Sequence, residues 1–143
     1  MLKKLLSLML LVLFAAPLAL QGAEMQEKAD EFLKSVPENM MYLITAMDVA
    51  EAMEMGKGNL VVLDIRPPQH YNNGHIKGSL HVPLTMLVDK VKELPTDKKI
   101  AVVCAMDTNS AFAVAVLRMH GFDAWIMEGG VPGWVKAGKA LVK

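Results

Sequence analysis

The chain holds one cysteine, Cys104, in the stretch KKIAVVCAMDTNSAFAVAVLRMHG. An apolar run from Ile100 to Val103 delivers the thiol to its end, and an alanine-rich helical pattern is under way by Ser110. A helix N-terminus carries unpaired N–H groups and roughly half a positive charge, so it favours an anion. A thiolate is such an anion, and sulfur facing a helix start gains nucleophilic character. Residues Ala105, Met106, Asp107, Thr108 and Asn109 lie between the thiol and that helix. Their backbone N–H groups are the expected cradle for a thiolate, a persulfide or a small oxyanion. A strand-end cysteine before a helix is also compatible with thiol phosphatase or peroxidase chemistry, or with a core cysteine that packs as a small hydrophobe.

The elements that position this thiol follow from periodicity. NLVVLDI (59–65) and KIAVVC (99–104) are continuous apolar runs, as in strands buried on both faces. MMYLIT (40–45), SLHVP (79–83) and DAWIME (123–128) supply three further strands. Thr45 followed three residues later by Asp48 opens a helix over 46–55, ended by Gly56 and Gly58. Leu87, Val91 and Leu94 predict a helix over 85–95, and residues 110–121 predict another, with His120 in its last turn and Gly121 beyond it. RPPQHYNNGHIKG reads as a loop by its Pro, Asn and Gly content. A short helix and tail close the chain. Strands alternating with helices predict an α/β domain on a largely parallel sheet. In such sheets ligands bind beyond the carboxyl ends of the strands, where Cys104 falls.

The bulk composition agrees. A chain of 143 residues, 53% hydrophobic and 21% charged, suits one globular domain. Fifteen basic residues balance fifteen acidic ones, which gives no electrostatic ground for a nucleic-acid partner. Lys3 and Lys4 precede an uncharged apolar run from Leu5 to Leu20, after which the chain turns polar. The pattern predicts a secretory signal peptide over 1–23, a helix and linker over 24–39 and the domain proper over 40–143. The protein is then exported, to the periplasm, with no stable membrane span once the signal is removed; the alternative is an uncleaved anchor. In an exported chain one cysteine cannot close an intramolecular disulfide, so the thiol is free, paired with another molecule or used chemically.

From about Met40 to Val142 the chain resembles the rhodanese family, and in particular its single-domain exported sulfurtransferases. The resemblance rests on VVLDIRPPQHYNNGHIKGSLHVPL, with Asp64, Arg66, Tyr71, Gly74, His75, Ile76, Gly78 and Pro83, and on IMEGGVPGWVKAG, with Gly129, Gly130 and Trp134. Between these blocks, Cys104 falls at the family's catalytic position. The resemblance implies a five-stranded, largely parallel sheet with helices on both faces. It also implies a ping-pong transfer of sulfane sulfur through a Cys104 persulfide to a thiol or cyanide acceptor, without metal or organic cofactor. The group-binding residues are then 105–109, and the acceptor could be a small molecule or a protein. The related phosphatases need an arginine at the end of a loop one residue longer; here the residue six after Cys104 is Ser110.

Within the loop the chain departs from thiosulfate-using members. They carry a glycine three residues after the cysteine and often a basic residue nearby, whereas this chain has Asp107 and no Lys or Arg among 105–109. A carboxylate about 6 Å from a thiolate repels it, and an anionic donor, by roughly 3 kcal/mol per unit charge at an effective dielectric near 20. Thiosulfate is therefore an unpromising donor on sequence grounds. The alternative function is a non-enzymatic rhodanese-like binding module. Asp64 and Arg66 are expected to order the loop after their strand, and His75 to serve as a hydrogen-bonding support rather than an acid or base. His70, His81 and His120 lack metal-ligand spacing. The chain has 12 methionines, including those at 40, 41, 47, 53 and 55, and thioethers suit Cu(I). Their spacing fits core filling equally well, and no metal is expected.

Overall fold

The computed structural model describes residues 20–38, 42–56 and 58–143. Most of the expected signal peptide, and Met40 and Met41 of the expected first strand, lie outside them. Two units are distinct, one ending at Ser35 and the other spanning Val36–Lys143. In the first, a helix (α1) covers the described residues 20–35 and so includes residues ahead of the helix and linker expected over 24–39. Lys28 Nζ lies 2.9 Å from Glu24 Oε1 one turn earlier. The hydrogen bond and charge of Lys28 hold the Glu24 carboxyl below its ordinary range. No helix of the described residues is long and apolar enough to cross a membrane.

The second unit runs β1 (Leu43–Ile44), α2 (Ala46–Glu54), β2 (Leu60–Asp64), α3 (Pro68–Asn72), β3 (Leu80–His81), α4 (Leu87–Lys90), β4 (Lys99–Val103), α5 (Asp107–Met119), β5 (Ala124–Met127) and α6 (Gly130–Lys136). The five strands form one sheet, ordered β1-β5-β4-β2-β3, and every pairing is parallel. β4 is central, with Val102 opposite Leu63 on one side and Ile126 on the other. Residues 100–103 are fully buried, as an apolar run between two helical layers has to be. Alternate residues serve opposite faces. Val62, Ala101, Val103 and Met127 join Val49 and Ala50 of α2 and Val131 and Trp134 of α6 in one core. Leu63, Ile100 and Val102 point the other way, toward the layer containing Leu87, Ala113, Val114 and Leu117.

Four local expectations are corrected. Residues 66–78 are not all loop: α3 forms with Pro68 in its first turn, where a missing N–H costs nothing and a fixed φ suits the helix. Residues 85–95 are not one helix. Single turns of 3-10 helix at Leu84–Met86 and Val91–Glu93 flank the one-turn α4, although Leu87, Val91 and Leu94 are buried as their spacing requires. α5 begins at Asp107, not at 110, because extended Met106 (φ −149°, ψ 154°) already serves as its cap. The first strand is confined to Leu43–Ile44. Thr45 does cap α2, accepting from Asp48 N–H at 3.1 Å.

The β5–α6 turn presses directly on the end of β4. Gly129 and Gly130 both have left-handed backbone, at φ 72° and 55°. A Cβ built on Gly130 would stand 2.3 Å from the carbonyl oxygen of Cys104. Gly130→Ala therefore combines a left-handed L-residue with overlap against main chain. Urea denaturation is expected to show a loss of about 3 kcal/mol or more, and a loss under about 1 kcal/mol would show that the turn does not bear on β4 this closely.

Candidate active site

Strand order makes the site. From β4 the chain moves to β5 on one side, while β2 leads to β3 on the other, so the topological switch lies outside the carboxyl ends of β4 and β2. Cys104 follows β4 and Arg66 follows β2, one on each side of that switch. Ile65 N–H donates to Val103 O at 3.0 Å and draws the two strand ends together beyond their ladder.

Cys104 is 2% exposed, and its thiol donates to the carbonyl oxygen of Met106. Its own carbonyl accepts from Val131 N–H at 2.9 Å. Only Ala105 and Met106 stand between the cysteine and α5. The expected cradle over 105–109 is therefore a two-residue link followed by the first helical turn, and Asp107, Thr108 and Asn109 contribute their N–H groups as the start of a 13-residue helix. Ala105, Met106, Thr108 and Asn109 are exposed, Met106 to 73%. Position 107 is helical, so it makes no demand for glycine. The Asp107 carboxylate has a partner that the sequence does not reveal: its Oδ2 accepts from Gly129 N–H at 3.2 Å. Asp107 Oδ1 and the Ser110 hydroxyl one turn on are buried without a hydrogen-bond partner among the described residues.

Asp64 and Arg66 form a buried ion pair. Arg66 Nε lies 2.9 and 3.0 Å from the two Asp64 oxygens, and Nη2 lies 2.6 Å from Oδ2. The Arg66 N–H also donates to Asp64 Oδ1, and Nη2 reaches Gly74 O at 2.9 Å. The guanidinium is thus committed to its own loop. His75 pairs its backbone with Val142 in both directions at 2.9 Å, which ties the C-terminal tail to that loop. Its ring stacks on Tyr71 at 3.9 Å, with Nδ1 3.2 Å from Tyr71 O. The opposite face of Tyr71 carries His81 at 4.1 Å, whose Nε2 meets Arg66 O at 2.9 Å. Neither stack is legible in the sequence: His75 lies beyond the end of α3, and His81 arrives through β3. The glycine pair 129–130, read from the sequence only as a matching motif, is part of the wall behind Cys104.

Removing one member of the Asp64–Arg66 pair strands a buried charge. Arg66→Met is expected to cost about 3–5 kcal/mol, and Asp64→Leu combined with Arg66→Met to cost at least about 2 kcal/mol less than Arg66→Met alone. Chemical denaturation of the three proteins measures both quantities. Strictly additive losses would contradict the pairing.

The chain is similar to known proteins in sequence and in fold. A model of the rhodanese-like domain matches residues 46–137. The thiosulfate sulfurtransferase GlpE of Pseudomonas paraeruginosa is 34% identical over 85 residues, covering 59% of this chain and 77% of its own. Among solved structures, a rhodanese-related protein from Thermoplasma volcanium aligns with a TM-score of 0.64 and 36% identity, covering 69% of this chain and 95% of the other. The Alr3790 protein of Anabaena gives 0.66 and 31%, covering 69% and 81%. With the sheet order, the strand-end cysteine and a family match over most of the domain in agreement, the chain belongs to the rhodanese-like domain family.

Proposed function

We propose that this protein is a sulfurtransferase that carries sulfane sulfur on Cys104. The observation that carries the reading is the position of that thiol, at the carboxyl end of the central strand, beside the topological switch and two residues before the N-terminus of α5. The similarity to thiosulfate sulfurtransferases supports the same chemistry.

In the first half-reaction the Cys104 thiolate attacks the outer sulfur of a donor. For thiosulfate, the S–S bond breaks, sulfite leaves with the electron pair, and Cys104 becomes a persulfide anion. In the second, an acceptor thiolate or cyanide attacks the terminal sulfur, yielding a new persulfide or thiocyanate, and the Cys104 thiolate is regenerated. No net oxidant is consumed. The first turn of α5, with residues 107–109, favours the negative charge on sulfur in both states. Cys104 is buried while its neighbours Ala105 and Met106 are exposed, so this part of the loop has to move to admit a donor. Asp64, Arg66 and His75 act as supports of the neighbouring loop rather than as reacting groups. The acceptor is a small thiol, cyanide or a protein cysteine.

A second reading, a binding module without efficient catalysis, draws on the closed thiol and on the commitment of Arg66 to Asp64. Intact mass spectrometry separates the two. Incubation with thiosulfate or a neutral organic trisulfide is expected to add one sulfur atom that dithiothreitol removes, and Cys104→Ser is expected to add none. A wild-type mass unchanged by every donor would leave only the binding module.

Export to the periplasm completes the proposal, on the strength of Lys3, Lys4 and the apolar run Leu5 to Leu20. Protein recovered from a periplasmic extract should have lost residues up to about 23. Full-length chain confined to the cytosol would refute it.

A further inference from the structure

Resting on the reading of Cys104 as the sulfur carrier, we propose that Asp107 is a positioning residue for the transfer. Its carboxylate clamps the catalytic loop onto the β5–α6 turn. The bond from Gly129 N–H to Asp107 Oδ2 spans 22 residues of sequence. Asp107 Oδ1 is buried without a partner among the described residues, so this amide is what holds the carboxylate.

Two residues beyond Gly129, Val131 N–H holds the carbonyl of Cys104. Gly130, between them, lies so close under Cys104 that no side chain fits. The turn therefore grips the loop at both ends, by the Cys104 main chain and by the Asp107 side chain. Ala105 and Met106, both exposed, lie between these two anchors. The local electrostatics favour the arrangement. Asp107 is the first residue of the 13-residue α5, where a negative charge is stabilised by the helix dipole. A hydrogen bond to an ionised acceptor is about twice as strong as a neutral one. The carboxylate that reads as a hindrance in the sequence is therefore an anchor. When Ala105 and Met106 move to uncover the sulfur, the anchors keep Cys104 and the first turn of α5 in register.

The clamp predicts a specific pattern of rates. Asp107→Ala removes the acceptor and is expected to slow the maximal rate of Cys104 persulfidation at least tenfold, as loss of alignment does. The KM for the donor should stay within about twofold, and thiosulfate and a neutral organic trisulfide should be slowed alike. Asp107→Asn keeps an acceptor oxygen and should restore the rate to within about threefold of wild type. Amide exchange at Gly129 should accelerate in the alanine variant and stay slow in the asparagine variant. If Asp107→Ala does not fold, Asp107→Ser, too short to reach the turn, replaces it. An alanine variant as fast as wild type, or faster with thiosulfate, would overturn the clamp in favour of donor repulsion. An asparagine variant as slow as alanine would overturn it as well. If wild type gains no sulfur from any donor, the sulfur-transfer reading falls, and the Gly129 exchange rates alone decide whether the clamp exists.

Discussion

Burial of β4 on both faces and along both edges is the constraint on which the rest depends. A strand flanked by parallel partners and covered by two layers of helices has all its polar groups in the ladder until it ends. Where it ends, the carbonyls of Val103 and Cys104 still need donors, and no strand supplies them. Ile65 N–H from the β2 side and Val131 N–H from the β5 side do so. Each brings a loop with it. The first carries Arg66 and, through Gly74 and His75, the C-terminal tail; the second carries the glycine pair. The surroundings of Cys104 are thus a by-product of completing the hydrogen bonding of the central strand.

The same constraint explains which parts were legible from residues alone. β2 and β4 announce themselves as unbroken apolar runs because both faces are covered, and the thiol at the end of one of them is plain. The helix α3 is hidden by its own composition. Pro67, Pro68, Asn72 and Asn73 are turn signals, and a proline in the first turn satisfies a helix as well as a loop does. The start of α5 is hidden for a related reason. Asp107, Thr108 and Asn109 are residue types that favour caps, which displaces the expected helix start beyond them, whereas an extended Met106 lets the helix begin within them. The loop shrinks accordingly, and its amides become those of a helix end.

The partner of Asp107 has a tertiary origin. Taken along the chain, its nearest chemical neighbour is Cys104, three residues back, and Coulomb's law makes that a repulsive pair. In the folded domain its carboxylate meets an amide 22 residues away, brought by a turn that only glycine can make at two successive positions. Charge patterning along a sequence counts charges without their partners, and here the partner is a backbone N–H with no charge to register. Arg66 is likewise held locally, in keeping with its expected role of ordering the loop after β2: Asp64 and the carbonyl of Gly74 take up its guanidinium. Asp107, in the loop after β4, and Arg66, in the loop after β2, are both held by contacts with neighbouring main chain and side chains. What remains for an incoming group is the N-terminal turn of α5 and the exposed, uncharged side chains of Ala105, Met106, Thr108 and Asn109. A surface of that kind distinguishes incoming groups by shape and by access to the sulfur more than by net charge.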